Sequence, residues 1–171
     1  MDEIFKRGTC RFFKELTPVP EEELLTLVKA GMQARAVGNQ KSRDFVIVTR
    51  EDLVKAISHN SIIAGPARKA SAAIVIVGKK EGVSFPEEWS FDCAAAAQNI
   101  LIEAEHLGLS TLWMQVYPYL DRKVHLCHIL DIPDSLDPFC IIAVGYADKK
   151  PVRMNRYDGN AVSYDLYGKH K

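Results

Sequence analysis

Two stretches at opposite ends of the chain carry the residue types that hold an anion. Near the start, Arg7, Thr9 and Arg11 bring two guanidinium groups and a hydroxyl within five residues, directly before Phe12 and Phe13; near the end, Arg156 stands in a basic segment. Such groups suit a phosphate monoester, whose charge of about −2 must be met by several donors in fixed geometry. A solvated basic surface would present the same residues, so the cluster alone leaves both readings open. Other chemistries have less support. His125 and His128 stand three apart on one predicted helix and make half a metal site, but no second pair has matching spacing, and no metal is expected. The glycine fingerprints of a Rossmann crevice and a P-loop are absent, as is the G-x-S-x-G elbow. No acid, base or nucleophile set is assigned.

The elements that must position these groups are organised around residues 90–117. Ser90 and Asp92 suit a helix start, the one as a cap and the other as a carboxylate at the positive end of the dipole. Gly108 is the stop, where a chain leaves a helix left-handed at little cost. Between them Cys93, Ala97, Ile100, Ala104 and Leu107 line one side while Ala94 and Leu101 occupy the next, so the helix is buried on more than one side. It is either a plain core helix or one that lets a sheet, a second helix or a partner subunit approach over Ala94 to Ala97.

The rest of the chain alternates. Helices are expected over 18–35, with Leu24, Leu25, Leu27, Val28 and Met32 inward, over 51–59 and over 121–130; strands over 45–48, 72–78, 110–115 and 139–146. The strands are continuous apolar runs separated by helices, which implies a sheet covered on both faces and a three-layer α/β or α+β domain. The tail over 148–171 holds six Lys/Arg against three Asp, then Val162, Tyr164 and Leu166 alternating, and reads as a basic arm ending in a strand.

Composition narrows the function classes. Lys+Arg and Asp+Glu balance at 22 each in 171 residues, so no overall field draws nucleic acid or an anionic membrane. No apolar run reaches membrane-helix length, and Met1-Asp2-Glu3 lacks the order of a signal peptide, so a cytoplasmic protein is expected. Cys10, Cys93, Cys127 and Cys140 are scattered without a Cys-x-x-Cys pair and read as reduced thiols.

Six stretches, in order, resemble the FMN-dependent nitroreductase family. Residues 4–13, with Arg7, Thr9 and Arg11, are similar to the opening R-R-S-x-R-x-F; residues 37–48, through Gly38-Asn39-Gln40-Lys41-Ser42-Arg43, to the A-P-S-A-G-N-Q-R-P-W-x-F-V-V-V loop and strand. Asp92 to Leu101 resembles the dimer-core helix, Gly108 to Trp113 the G-L-G-S-x-W turn, and Ile132-Pro133 with Ala143-Val144-Gly145-Tyr146 the closing I-P and A-V-G-Y-P motifs. The chain departs at Gly8, in place of Arg, and at Ser42-Arg43, in place of Pro-Trp.

The resemblance implies one α+β domain over 1–171, a three-layer α-β-α fold with a mixed sheet flanked by helices. It implies a homodimer that exchanges the 148–171 arm between subunits. FMN would be the cofactor and NAD(P)H the cosubstrate, with electrons passed by a ping-pong mechanism to a small planar acceptor, a nitroaromatic or a quinone. Arg7, Gly8, Thr9 and Arg156 would surround the phosphate, Arg11 would approach the ribityl chain or pyrimidine edge, and Asn39 and Lys41 match loop positions around the flavin. Trp113, Met114, Gln115 and Val116 would run past the ring, the Gln115 backbone N–H directed at flavin N5, with Arg43 at the substrate pocket. A flavin-binding protein without general reductase activity, and a specialised reductive dehalogenase or flavin-modifying enzyme, are the alternatives.

Overall fold

Apolar runs buried on both faces explain the architecture. The structure, a computed structural model, describes residues 2–15, 17–60 and 62–170, and of residues 62–64 the backbone alone; Met1 and Lys171, both used in the sequence reading, lie outside the described residues. Four strands, β1 (Arg43–Val48), β2 (Ala72–Gly78), β3 (Ser110–Gln115) and β4 (Asp137–Gly145), form one sheet in the order β1-β2-β4-β3. All three ladders are antiparallel, and among the described residues parallel pairing is confined to a single bridge between Thr9 and Thr111.

Successive residues of a strand point to opposite faces, and each face of this sheet has its own core. Ala73, Val75 and Val77 of β2, with Ile141 and Ala143 of β4, join α3 (Glu51–Ile57) and α5 (Leu120–Leu130) through Val54, Ile57, Leu126 and Cys127. Ala72, Ile74 and Ile76, with Cys140, Ile142 and Val144, join α2 (Glu21–Met32) and α4 (Trp89–His106) through Leu24, Leu27, Ala97 and Ile100. The result is the expected α-β-α sandwich. A further short helix, α1 (Glu3–Lys6), precedes the segment that carries Arg7.

Several local expectations need correction. The first helix is shorter than 18–35, and Leu25 and Met32 face solvent rather than the core. The central helix begins at Trp89, after a 3-10 turn over Pro86–Glu88, so Ser90 sits inside its first turn and does not cap it. Gly108 does end it, with φ of +75°. No strand forms in the described part of the tail, where a 3-10 turn over Gly159–Ala161 is followed by irregular backbone. Alternation there lacks a neighbouring edge to pair with, and the amides of Val162, Tyr164 and Leu166 donate instead to carbonyls of the tail itself, those of Gly159, Lys169 and Tyr164.

Candidate functional site

The N-terminal segment is stitched to the sheet by its backbone. The Cys10 amide donates to the Thr111 carbonyl at 2.8 Å, Lys14 N to Tyr146 O at 2.8 Å, and Asp148 N to Phe12 O at 2.8 Å, while Phe13 bridges Ala147. Cys10 and Phe13 plug the core, which leaves Thr9, Arg11 and Phe12 facing outward. The chain beyond β4 then passes directly over Gly8. A Cβ there would lie 2.6 Å from Pro151 Cβ and 3.2 Å from the Val152 carbonyl, so this close approach requires glycine. Gly8, where the resemblance implied Arg, is the residue that lets the arm settle.

Between segment and arm lies a cleft of about 1110 Å³. It brings together Arg7, Thr9, Arg11 and Arg156 as expected from sequence. It also gathers Lys149, Lys150 and Arg153, which the sequence reading met only as part of a basic arm. The lining thus holds six Lys/Arg and not one Asp or Glu. None of the ion pairs seen among the described residues uses any of the six. Clustered cations without carboxylates repel one another and concentrate field in a concave site, and an anion relieves both.

The other expected site residues lie elsewhere on this chain. Gly38 and Asn39 both adopt left-handed backbone, with φ of 56° and 53°, and a Cβ on Gly38 would meet the Phe85 ring at 2.6 Å. The loop is held by Asp92, 2% exposed, which accepts from the Val37 amide (2.9 Å), Gln40 Nε2 (2.7 Å) and Ser42 Oγ (2.5 Å). Burial alone would raise the Asp92 carboxyl. The bonds from Ser42, Gln40 and the Val37 amide, with the charge of Arg43, outweigh it and hold the group below the ordinary carboxylate range. Gln40 further clips the loop to Phe85, donating to its carbonyl and accepting from its amide. Asn39 and Lys41 are left exposed at the surface of this braced loop.

Arg43, expected at the substrate pocket, donates to the carbonyls of Ala34, Met32 and Asp92, tying the end of α2 to the start of α4. Its environment is set by contacts remote in sequence, which local spacing does not reveal. Met114 of β3 and Val116 just beyond it are buried and can offer a ligand little beyond main chain, while the half-buried Trp113 packs edge-on to Phe139 with centroids 5.9 Å apart. Gln115 offers its amide. Val116 N turns toward β4 to reach Phe139 O, which turns Gln115 N–H the other way, in phase with Thr111, whose carbonyl meets Cys10. The Gln115 carbonyl accepts from Arg122 at 2.8 Å, and that guanidinium lies 4.1 Å from the Tyr119 ring centroid.

Side-chain chemistry is sparse around these groups. The four cysteines are buried free thiols; burial pushes Cys93 up to about 12 and Cys140 well above the usual thiol range, so neither is a thiolate at neutral pH. His125 and His128 are exposed on α5, and no three metal-ligating side chains gather among the described residues. No described helix is long and apolar enough to cross a membrane.

Comparison with known proteins agrees with this geometry. A sequence profile of the nitroreductase family matches residues 59–146, slightly more than half the chain. A protein of Archaeoglobus fulgidus, provisionally named an NADH dehydrogenase/NAD(P)H nitroreductase, is 31% identical over 84% of this chain and 82% of its own. The crystal structure of a Clostridium acetobutylicum protein provisionally named an NADH oxidase superposes with a TM-score of 0.92, at 31% identity, over 97% of this chain and 100% of the other. The structure of an FMN-dependent nitroreductase from Clostridium difficile gives a TM-score of 0.88 at 25% identity, covering 98% and 100% of the two chains. Sequence and fold lead to one assignment: the chain belongs to the nitroreductase family.

Proposed function

We propose that the protein is an FMN-dependent oxidoreductase that takes reducing equivalents from NAD(P)H and delivers them to a small planar acceptor such as a nitroaromatic or a quinone. The observation that carries this reading is the cleft between the N-terminal segment and the arm, with six cations, a threonine hydroxyl and no carboxylate. Those groups fit a terminal phosphate. Arg7, Thr9 and Arg156 would hold it, Arg11 would lie toward the pyrimidine edge, and the outward Gln115 amide would be a fixed donor needing no side chain. FMN, when bound, would supply the transfer of hydride or electrons, which accounts for the lack of an acid, base or nucleophile set.

Asn39 and Lys41 do not line the cleft of their own chain. Their expected place beside the flavin therefore supports a homodimer, in which the braced loop of one subunit serves the cleft of the other. Exposed apolar side chains along the arm, Val152, Met154, Tyr157 and Leu166, support the same arrangement, since a monomer would leave them in water. Stopped-flow mixing of the purified flavoprotein with NADH and with NADPH tests the function. Bleaching of bound flavin is expected. Flavin that dithionite reduces and neither nicotinamide does would replace the enzyme reading by that of a flavin-binding protein.

A further inference from the structure

We propose that Arg122 is a positioning residue for the reacting edge of the flavin: by holding the Gln115 carbonyl from outside the sheet it fixes the direction of the Gln115 amide; this rests on the function proposed above. The reason lies in how β3 ends. β3 is an outer strand of the sheet, and Gln115 is its last residue, paired with Cys140. The next residue, Val116, donates to Phe139 O, so Gln115 belongs to the alternate set of an antiparallel ladder, whose amide and carbonyl both point away from the partner strand. β4 therefore holds neither group.

From the inner side the hold on this strand end is divided. The Phe139 carbonyl takes both the Val116 amide at 3.2 Å and the Tyr117 amide at 3.0 Å, so one acceptor serves two donors. The Gln115 side chain turns away from the amide, its Nε2 donating to Tyr117 O at 3.0 Å. Arg122 closes the outer side with a charge-assisted bond of 2.8 Å to the Gln115 carbonyl. Its guanidinium is itself seated. It lies 4.1 Å from the Tyr119 ring centroid, and Tyr119 is tied back by its amide to Val116 O at 2.9 Å and by its carbonyl to Lys123 N at 3.1 Å. None of the ion pairs seen among the described residues uses Arg122, so no carboxylate draws it off the carbonyl. A planar fork stacked on a ring holds one direction, which a solvated carbonyl does not. Without Arg122 the strand end keeps only the divided inner bond, and the outward amide loses its aim.

A hydrogen bond to flavin N5 can be read without any electron transfer. Flavin-free protein is titrated with FMN and with 5-deaza-FMN, which carries a C–H where FMN has N5 and cannot accept from the amide. The native protein should favour FMN about fivefold or more, the contribution of one net hydrogen bond. In Arg122→Met that preference should fall to within about twofold, with the affinity for 5-deaza-FMN nearly unchanged. Arg122→Lys keeps a donor for the carbonyl and should recover most of the preference. A merely structural role would weaken both flavins together and leave their ratio alone. A ratio unchanged in Arg122→Met, a native protein indifferent to the two flavins, or an Arg122→Lys variant no better than Arg122→Met overturns the proposal. Bound flavin that neither nicotinamide reduces would sink the proposed function instead, and the ratio would still decide the role of Arg122. Failure to bind either flavin would remove both.

Discussion

Arg156 and Asp92 show two ways in which a single residue serves the site. Arg156 lines the cleft and makes no ion pair among those described, so its replacement would remove the proposed phosphate contact and little else. Arg156→Ala should weaken FMN binding by about 1.5–3 kcal/mol, the range for a charge-assisted hydrogen bond, with the unfolding midpoint of the flavin-free protein nearly unchanged. Asp92 acts at a distance, through the loop. Removing it as Asp92→Ala strands three donors and should cost about 3 kcal/mol or more in urea unfolding. Its carboxyl is held below the ordinary range when folded, so this stabilisation is complete above about pH 4, where the unfolded chain is also ionised, and fades as pH falls through the lower folded value. The stability gap between the native protein and Asp92→Asn should therefore be wide at neutral pH and close in acid; a constant gap would show that charge plays no part. Gln115→Ala should leave turnover nearly unchanged, because the group proposed to matter there is the backbone amide.

At the scale of elements, the arm decides whether the cleft exists. It has no strand of its own among the described residues and is fixed near its root by Pro151 against Gly8. Gly8→Val should displace it and loosen FMN more than it destabilises the fold, measurable as flavin lost on gel filtration at a modest change in melting temperature. Deleting residues 161–171 should lower both dimer stability and FMN retention, and a truncated protein that stayed dimeric with unchanged affinity on sedimentation and titration would remove the arm from the account. The elements themselves were largely legible in the sequence, because strands covered on both faces read as unbroken apolar runs and Gly108 marks its helix end plainly. What misled was the tail, where Val162, Tyr164 and Leu166 alternate without an edge to pair with. The bracing role of Arg43 could not be read from local spacing for a related reason: its partners Met32, Ala34 and Asp92 come together only in the folded chain. Ser90 resembled a cap by residue type alone; the 3-10 turn over Pro86–Glu88, with a proline and two carboxylates, carries the true helix start to Trp89.

For the whole molecule, the balanced charge of the sequence conceals a strongly uneven distribution. Equal numbers of acidic and basic residues gave no sign of a partner, yet folding brings the two ends of the chain together and makes a cleft lined by six cations and no carboxylate. Arg7, Thr9, Arg11 and Arg156 could be named from sequence and do meet there; Lys149, Lys150 and Arg153 were visible only as a basic run. Both substrates would use the one cleft in turn, so steady-state kinetics with NAD(P)H and a quinone should give parallel double-reciprocal lines; intersecting lines would require that both bind together. The central claim, that this cleft recognises the phosphate of FMN, is tested most directly by equilibrium titration of flavin-free protein with FMN and with riboflavin, before and after the double change Arg7→Ala, Arg156→Ala. The native protein should prefer FMN by at least about 100-fold, and the variant should bind both flavins with similar, weak affinity. An FMN preference that survives loss of both arginines would contradict the account and place the phosphate elsewhere on the molecule.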